Sequence, residues 1–237
     1  MPVAHASVLA AVTPEAGNEF DPLAFLAMRG TIYLLGTAEG GARATATLVA
    51  ALIEDLIDAA RRLAGRSPRQ RLDPPLALLL DEAANYPLPS LPSLMSEGGG
   101  SGITTMAVLQ SLAQARDRWG TDAARAIWDS AIVKMVLGGS SDADDLSDLS
   151  RLVGERAVTE WSETRHGNRM DRSMSSTVRY RPILEPAQLR VLDFGTGLLL
   201  LRSAPPIMMT LTAWTDRPDA RRLISDEQAW EEHAVGA

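Results

Sequence analysis

The sequence predicts an α/β fold: a mainly parallel sheet flanked by helices, followed by a short antiparallel, β-rich C-terminal portion. Three observations predict it. Short apolar runs alternate with helical patterns between residues 31 and 154, the order that gives parallel strands joined by right-handed crossovers. One run, Leu76-Ala77-Leu78-Leu79-Leu80, is continuously apolar and lies between Pro74-Pro75 and the pair Pro87 and Pro89, as expected of a strand buried on both faces. After Gly154 the pattern breaks into short alternating pieces, which suit antiparallel strands.

Taken in order, residues 1–29 are weakly patterned, with Pro14, Gly17 and the turn Phe20-Asp21-Pro22, and read as the remnant of a preceding region. Thr31 to Leu35 is expected as a short buried strand closed by Gly36 and Gly40-Gly41. Leu48, Val49, Leu52, Ile53, Leu56, Ile57 and Ala60 repeat on one helical face, with Arg61 and Arg62 in the last turn and Gly65 as stop. Ser67 to Pro75 reads as a loop, and the strand Leu76 to Leu80 follows. The Pro- and Gly-rich stretch through Glu97-Gly98-Gly99-Gly100-Ser101-Gly102 reads as a connection of unusual backbone geometry. Strands are expected at Ile103 to Leu109 and Ile132 to Leu137, and helices at Ser111 to Trp119, Asp122 to Ser130 and Ala143 to Leu152. The C-terminal pieces are Ala157 to Trp161, Thr177 to Arg181, Leu198 to Leu201 and Ile207 to Leu211, with a helical turn near Pro186 to Leu192. The expected division is a remnant at 1–29, a core at 30–215 and a charged tail or frayed helix at 216–237.

Composition narrows the function. With 237 residues and 46% hydrophobic content the chain can bury a sizeable core. Its 23 basic and 30 acidic residues give a net charge of −7, so no global positive field attracts nucleic acid or anionic lipid, and any such contact is local. Cysteine is absent, which excludes disulfides and thiolate metal sites and suits the cytoplasm. His5, His166 and His233 lie far apart without metal-ligand spacing. No apolar run reaches the length of a membrane span, and Met1-Pro2-Val3-Ala4-His5 lacks the plan of a signal peptide. The chain as given is expected to be soluble.

The chemistry concentrates where the apolar strand delivers Asp81-Glu82. Open α/β sheets bind ligands at the carboxyl ends of their strands. Adjacent acids there suit phosphate chemistry, as the Walker B pair of a P-loop core: Asp81 holds Mg²⁺ through water and Glu82 orients or deprotonates the attacking water. The plain alternative is a core strand whose acids cap the next helix. Gln110 ends the next strand and lies beside the acids if the two strands are neighbours. A polar residue there can sense the γ-phosphate or the water, and its alternative is again a helix cap. Between Arg165 and Arg181, five arginines face one acid, Asp171, giving a basic loop in which Arg165, Arg169 and Arg172 are candidates for phosphate contact. Tyr180 is its aromatic residue. Trp119 and Trp128 sit at helical positions that suit a core better than base stacking.

Asp81-Glu82-Ala83-Ala84-Asn85, the Glu97-Gly98 to Gly102-Ile103 connection, Gln110-Ser111-Leu112-Ala113-Gln114, Gly138-Gly139 and Leu152-Val153-Gly154-Glu155-Arg156 together resemble the C-terminal part of TraG/TraD-type conjugative coupling proteins. Arg181-Pro182-Ile183-Leu184-Glu185-Pro186 and Ala204-Pro205-Pro206-Ile207 also fit, and the similarity extends over about residues 20 to 215. The resemblance implies an incomplete RecA-like P-loop NTPase core. It implies a full-length homo-hexamer that uses ATP and Mg²⁺ to pump relaxase-bound single-stranded DNA into a type IV secretion channel, anchored at the cytoplasmic face of the membrane by an N-terminal segment missing here. Asp81 then becomes the magnesium-associated acid, Glu82 the catalytic carboxylate and Gln110 the sensor.

Two departures stand out. No Gly-x-x-x-x-Gly-Lys-Ser/Thr occurs in the sequence, so the Walker A cradle is missing. The chain alone is therefore expected neither to hydrolyse ATP nor to hold it tightly, and truncation is the simplest explanation. Gly99 stands where many relatives carry an arginine, which leaves Arg116, Arg118 and Arg156 as stand-ins whose ordinary reading is a solvated residue. One alternative is a catalytically inactive module that docks a relaxosome or transfer protein, since the corresponding region of some relatives is named for recognition of TraM. Another is an unrelated doubly wound enzyme using Asp81 and Glu82 for a different metal-dependent reaction.

Overall fold

The computed structural model describes residues 13–15, 17, 19–34, 42–165 and 172–235, which fall into two compact units, 1–131 and 132–237. The architecture is mixed α/β, with one parallel pair of strands and two antiparallel sheets.

The first unit opens with helix α1 (Pro22–Ala27), started by Asp21, whose carboxylate accepts from the Leu23 and Ala24 amides. Helix α2 (Ala42–Arg66) follows. Its apolar stripe buries Ile53, Ile57, Ala60 and Ala64 against strand β1 (Leu76–Leu80), helix α3 (Leu91–Ser101) and strand β2 (Ile103–Ala107). Strands β1 and β2 pair in parallel, from Leu76 opposite Ile103 to Leu80 opposite Ala107. Helices α4 (Leu112–Trp119) and α5 (Thr121–Ser130) complete the unit. Ile127 of α5 joins the core, and the Trp119 indole packs on it while donating to the Leu88 carbonyl at 2.8 Å, the core role its spacing predicts.

The stretch 97–102, expected as an irregular connection, is the end of α3 capped by Gly102. The glycines meet a packing demand there. A Cβ on Gly98 would lie 2.9 Å from the Ile103 carbonyl, and one on Gly102, at φ +81, would lie 2.8 Å from the Leu72 backbone. Strand β1 is not buried on both faces. Leu78 and Leu80 face the core, whereas Leu79 and its register partner Met106 are 76% and 55% exposed, because every helix packed in that core covers the same side. Residues 31–34 form no strand. None of the described strands pairs with them, and Leu35 through Gly41 lie outside the described residues.

In the second unit, β3 (Val133–Leu137), β6 (Thr196–Leu201) and β7 (Ile207–Thr210) form an antiparallel sheet with β6 in the middle. The run at 133–137 was expected as a parallel member of the first sheet. Its apolar periodicity specifies a strand but carries no direction, and its partner is the apolar run Gly197 to Leu201. Helix α6 (Ala143–Val153), capped by Asp142, buries Leu146, Leu149 and Val153, and helix α7 (Pro186–Arg190) buries Leu189. Strands β4 (Glu155–Arg165) and β5 (Arg172–Pro182) form a long antiparallel hairpin, anchored where the Ile183 amide donates to the Gly154 carbonyl at 2.9 Å. Helix α8 (Ala220–Val235) ends the described chain.

Candidate functional site

Asp81 and Glu82 leave the carboxyl end of β1, and Gln110 stands three residues past the end of β2. The ladder continues beyond both strands. The Val108 amide donates to the Leu80 carbonyl at 2.9 Å and the Ala83 amide to the Val108 carbonyl at 3.1 Å, so the two exits stay side by side. Between them Glu82 takes the left-handed conformation, φ 48 and ψ 45. A residue with a side chain holds that region at a cost, and such outliers gather at functional sites. The Asp81 carboxylate steadies the turn by accepting the Glu82 amide at 3.1 Å. Ala83 and Ala84, each 1% exposed, open the 3₁₀ turn Ala83–Asn85, which packs on α4.

This backbone brings Glu82 and Gln110 together: the Gln110 Nε2 amide donates to Glu82 Oε1 at 3.2 Å. Gln110 does not cap the helix that follows. Ser111 does, its hydroxyl accepting the Gln114 amide at 3.1 Å, which leaves the glutamine amide free to reach the acid. Nor do the acids cap the 3₁₀ turn, since Glu82 at its N-cap makes no side-chain capping bond.

Two neighbours complete the rim, and sequence reasoning assigned neither a role. The Asn85 Nδ2 amide donates to Glu82 Oε2 at 2.6 Å. The Tyr86 hydroxyl donates to the Asp81 carbonyl at 2.6 Å. Burial, and then the negative charges of Asp81 and Glu82, push the Tyr86 hydroxyl above the usual tyrosine range, so it stays a proton donor. The available signal was the three-residue spacing from Glu82 to Asn85, which faces the two side chains only once a turn is assumed.

Among the described residues no group of three or more His, Cys, Asp or Glu could hold a metal ion. Asp81 is exposed at the strand end, where its carboxylate can meet a metal-bound water.

The basic segment has a different form from the expected loop. Arg165 and Arg172 are paired positions at the distal end of the hairpin, and Arg169 lies outside the described residues. Arg179 and Arg181 both pair with Glu160, the former at 3.3 Å. Period-two alternation puts Glu160, Arg179 and Arg181 on one face of the hairpin and Trp161, Met174, Val178 and Tyr180, all exposed, on the other.

Compared with known proteins, the chain matches a family model described as the TraM recognition site of TraD and TraG over residues 75–194, about half its length. No curated protein matches. Among solved structures it is similar to the unbound monoclinic form of the bacterial conjugative coupling protein TrwBdeltaN70, at 25% identity and TM-score 0.56, covering 73% of this chain and 39% of that one. The plasmid coupling protein TrwB in complex with the non-hydrolysable GTP analogue GDPNP gives 25% identity and TM-score 0.54 over 73% of this chain and 38% of that one. TrwB in complex with ADP and Mg²⁺ shares the fold at 24% identity and TM-score 0.51, over 72% and 38%. The chain thus spans well under half the length of these structures.

Proposed function

The chain belongs to the family described as the TraM recognition site of TraD and TraG, and from that membership we propose that it is the Walker B and sensor half of a conjugative DNA-transfer ATPase. In this reading residues 30–215 are the core fragment of a motor that pumps single-stranded DNA into a type IV secretion channel. The carrying observation is the Gln110 amide on the Glu82 carboxylate at the open end of a parallel pair, where a nucleotide-hydrolysing core needs its base and sensor.

The residues divide the work. Asp81 would hold Mg²⁺ through a bound water. Glu82 aligns the attacking water and holds its proton. Gln110 reports the γ-phosphate by hydrogen bonding, and Tyr86 keeps the strand exit in place. Bound MgATP supplies the phosphoryl group and the charge neutralisation of its oxygens. The phosphate-binding loop comes from outside these residues, because no Gly-x-x-x-x-Gly-Lys-Ser/Thr is present. The working assembly is a homo-hexamer at the cytoplasmic face of the membrane that engages relaxase or relaxosome proteins. No helix among the described residues is long and apolar enough to cross a membrane.

The test is ATP turnover in an assembly that supplies the phosphate loop. Glu82→Gln should lower kcat by on the order of 10²-fold or more, and unchanged turnover would contradict the assignment. A second reading, an inactive module that docks a relaxosome protein, is favoured by the missing Walker A sequence. The DNA upstream of the coding region separates the two: a glycine-rich Lys-Ser/Thr loop encoded there supports the ATPase half, and an intact unrelated gene supports the docking module.

A further inference from the structure

We propose that Asn85 is a positioning residue that fixes the Glu82 carboxylate through Oε2, leaving Oε1 as the oxygen that accepts the water proton, with Gln110 as its exchangeable cover. The proposal rests on the ATPase reading above and deepens it. Both carboxylate oxygens of Glu82 accept a side-chain amide, and the two bonds are unlike. The bond from the Asn85 side chain, at 2.6 Å, lies within a single turn in which the Asn85 backbone amide donates to the Glu82 carbonyl at 2.8 Å. That turn is seated by buried Ala83 and Ala84 and closed by the Tyr86 hydroxyl on the Asp81 carbonyl. Nothing has to move for the bond to persist. The bond to Gln110, at 3.2 Å, reaches across from the next strand exit on a longer side chain, and both amide side chains are exposed.

A base needs one lone pair aimed at its proton and an orientation that does not wander. An asparagine amide supplies the orientation without titrating, because it donates and has no proton to lose in the working range. The strained left-handed backbone at Glu82 then has a purpose. It turns the carboxylate so that one oxygen meets Asn85 in its own turn while the other meets Gln110 at the neighbouring strand exit. When a γ-phosphate takes over the Gln110 amide, Oε1 is uncovered while Oε2 stays held. The proton of the attacking water passes to Oε1, the water oxygen bonds to phosphorus, and the β–γ bridging oxygen leaves with ADP.

Two measurements test this. On the chain as it stands, nitrogen-15 NMR should show the Asn85 side-chain amide exchanging with water more slowly than that of Gln110, and the difference should vanish in Glu82→Ala. Equal exchange in the unsubstituted chain would overturn the anchor. In the assembly that supplies the phosphate loop, Asn85→Ala should lower kcat by roughly tenfold to a hundredfold with KM for ATP unchanged. Asn85→Asp, which keeps the shape but faces the acid with a second carboxylate, should fall further. Turnover at the unsubstituted level in both variants while Glu82→Gln is inactive would end the positioning role and leave the base assignment standing. If Glu82→Gln is also unimpaired, both fall together.

Discussion

The two β pairs that carry candidate functional residues are built on opposite plans. The parallel pair β1–β2 is only five residues long, but Leu78, Leu80 and Ile103 are packed under helices, and the side chains at its exit are held by short bonds to its own turn. The hairpin β4–β5 has eleven residues in each strand, yet Trp161, Met174, Val178 and Tyr180 stay exposed on one face while Arg179, Arg181 and Glu160 pair on the other. A site that must hold a carboxylate to a fraction of an ångström needs the packed base. A surface that tracks a flexible polyanion needs reach and charge instead. In the hairpin Glu160, at mid-strand, already engages Arg179 and Arg181.

The contrast breaks most visibly in stability. Leu80→Ala or Leu91→Ala, at 4% and 0% exposure, should cost about 2–5 kcal/mol in denaturant unfolding. Leu79→Ala, one residue from Leu80 but on the open face, should stay within about 1 kcal/mol. Equal losses would mean that the open face is covered.

A smaller effect is expected at Tyr86. Removing its hydroxyl in Tyr86→Phe should cost about 1 kcal/mol. The sign of its pH dependence follows from the raised pKa: the folded state holds the phenolic proton more tightly than the unfolded state. That contribution is present below the ordinary tyrosine value of 10.0 and is lost as pH rises through the folded value. The alkaline fall in stability should therefore be shallower in Tyr86→Phe, and an identical pH profile would contradict the burial of that hydroxyl.

Smallest in stability are the hairpin charges. Glu160→Gln should change it by less than about 1 kcal/mol, as exposed ion pairs do, while freeing Arg179 and Arg181. Single-stranded DNA binding should then strengthen and depend more steeply on salt, and neutralising Arg165, Arg169 and Arg172 together should flatten that dependence. If neither change moves the salt slope, the hairpin does not contact DNA.

Much of this was legible in the sequence because it depends on local periodicity. The apolar run 76–80 gave β1, and the one-face repeat from Leu48 to Ala60 gave α2. The expected strand Ile103 to Leu109 runs up to Gln110, which placed Gln110 beside the acids once the two strands were taken as neighbours. Other features depend on what lies across space. The direction of β3 is set by its partner β6, the helical state of Gly98 by its fit under the Ile103 carbonyl, and the exposure of Leu79 by which side the helices cover. The full length of the hairpin escaped because serine and arginine fill most of β5, so its alternation carries little apolar signal. Asn85 and the left-handed Glu82 share a single turn, too short for any periodic pattern to register.

The central claim is that the Glu82 carboxylate acts on water at a nucleotide bound against this rim. It is tested most directly by a single-turnover measurement on the loop-supplied assembly, with ATP binding and phosphate release followed in the same sample. The account predicts that Glu82→Gln binds ATP as tightly as the unsubstituted protein but releases phosphate on the order of 10²-fold more slowly. Phosphate release at the unsubstituted rate, with binding intact, would contradict it.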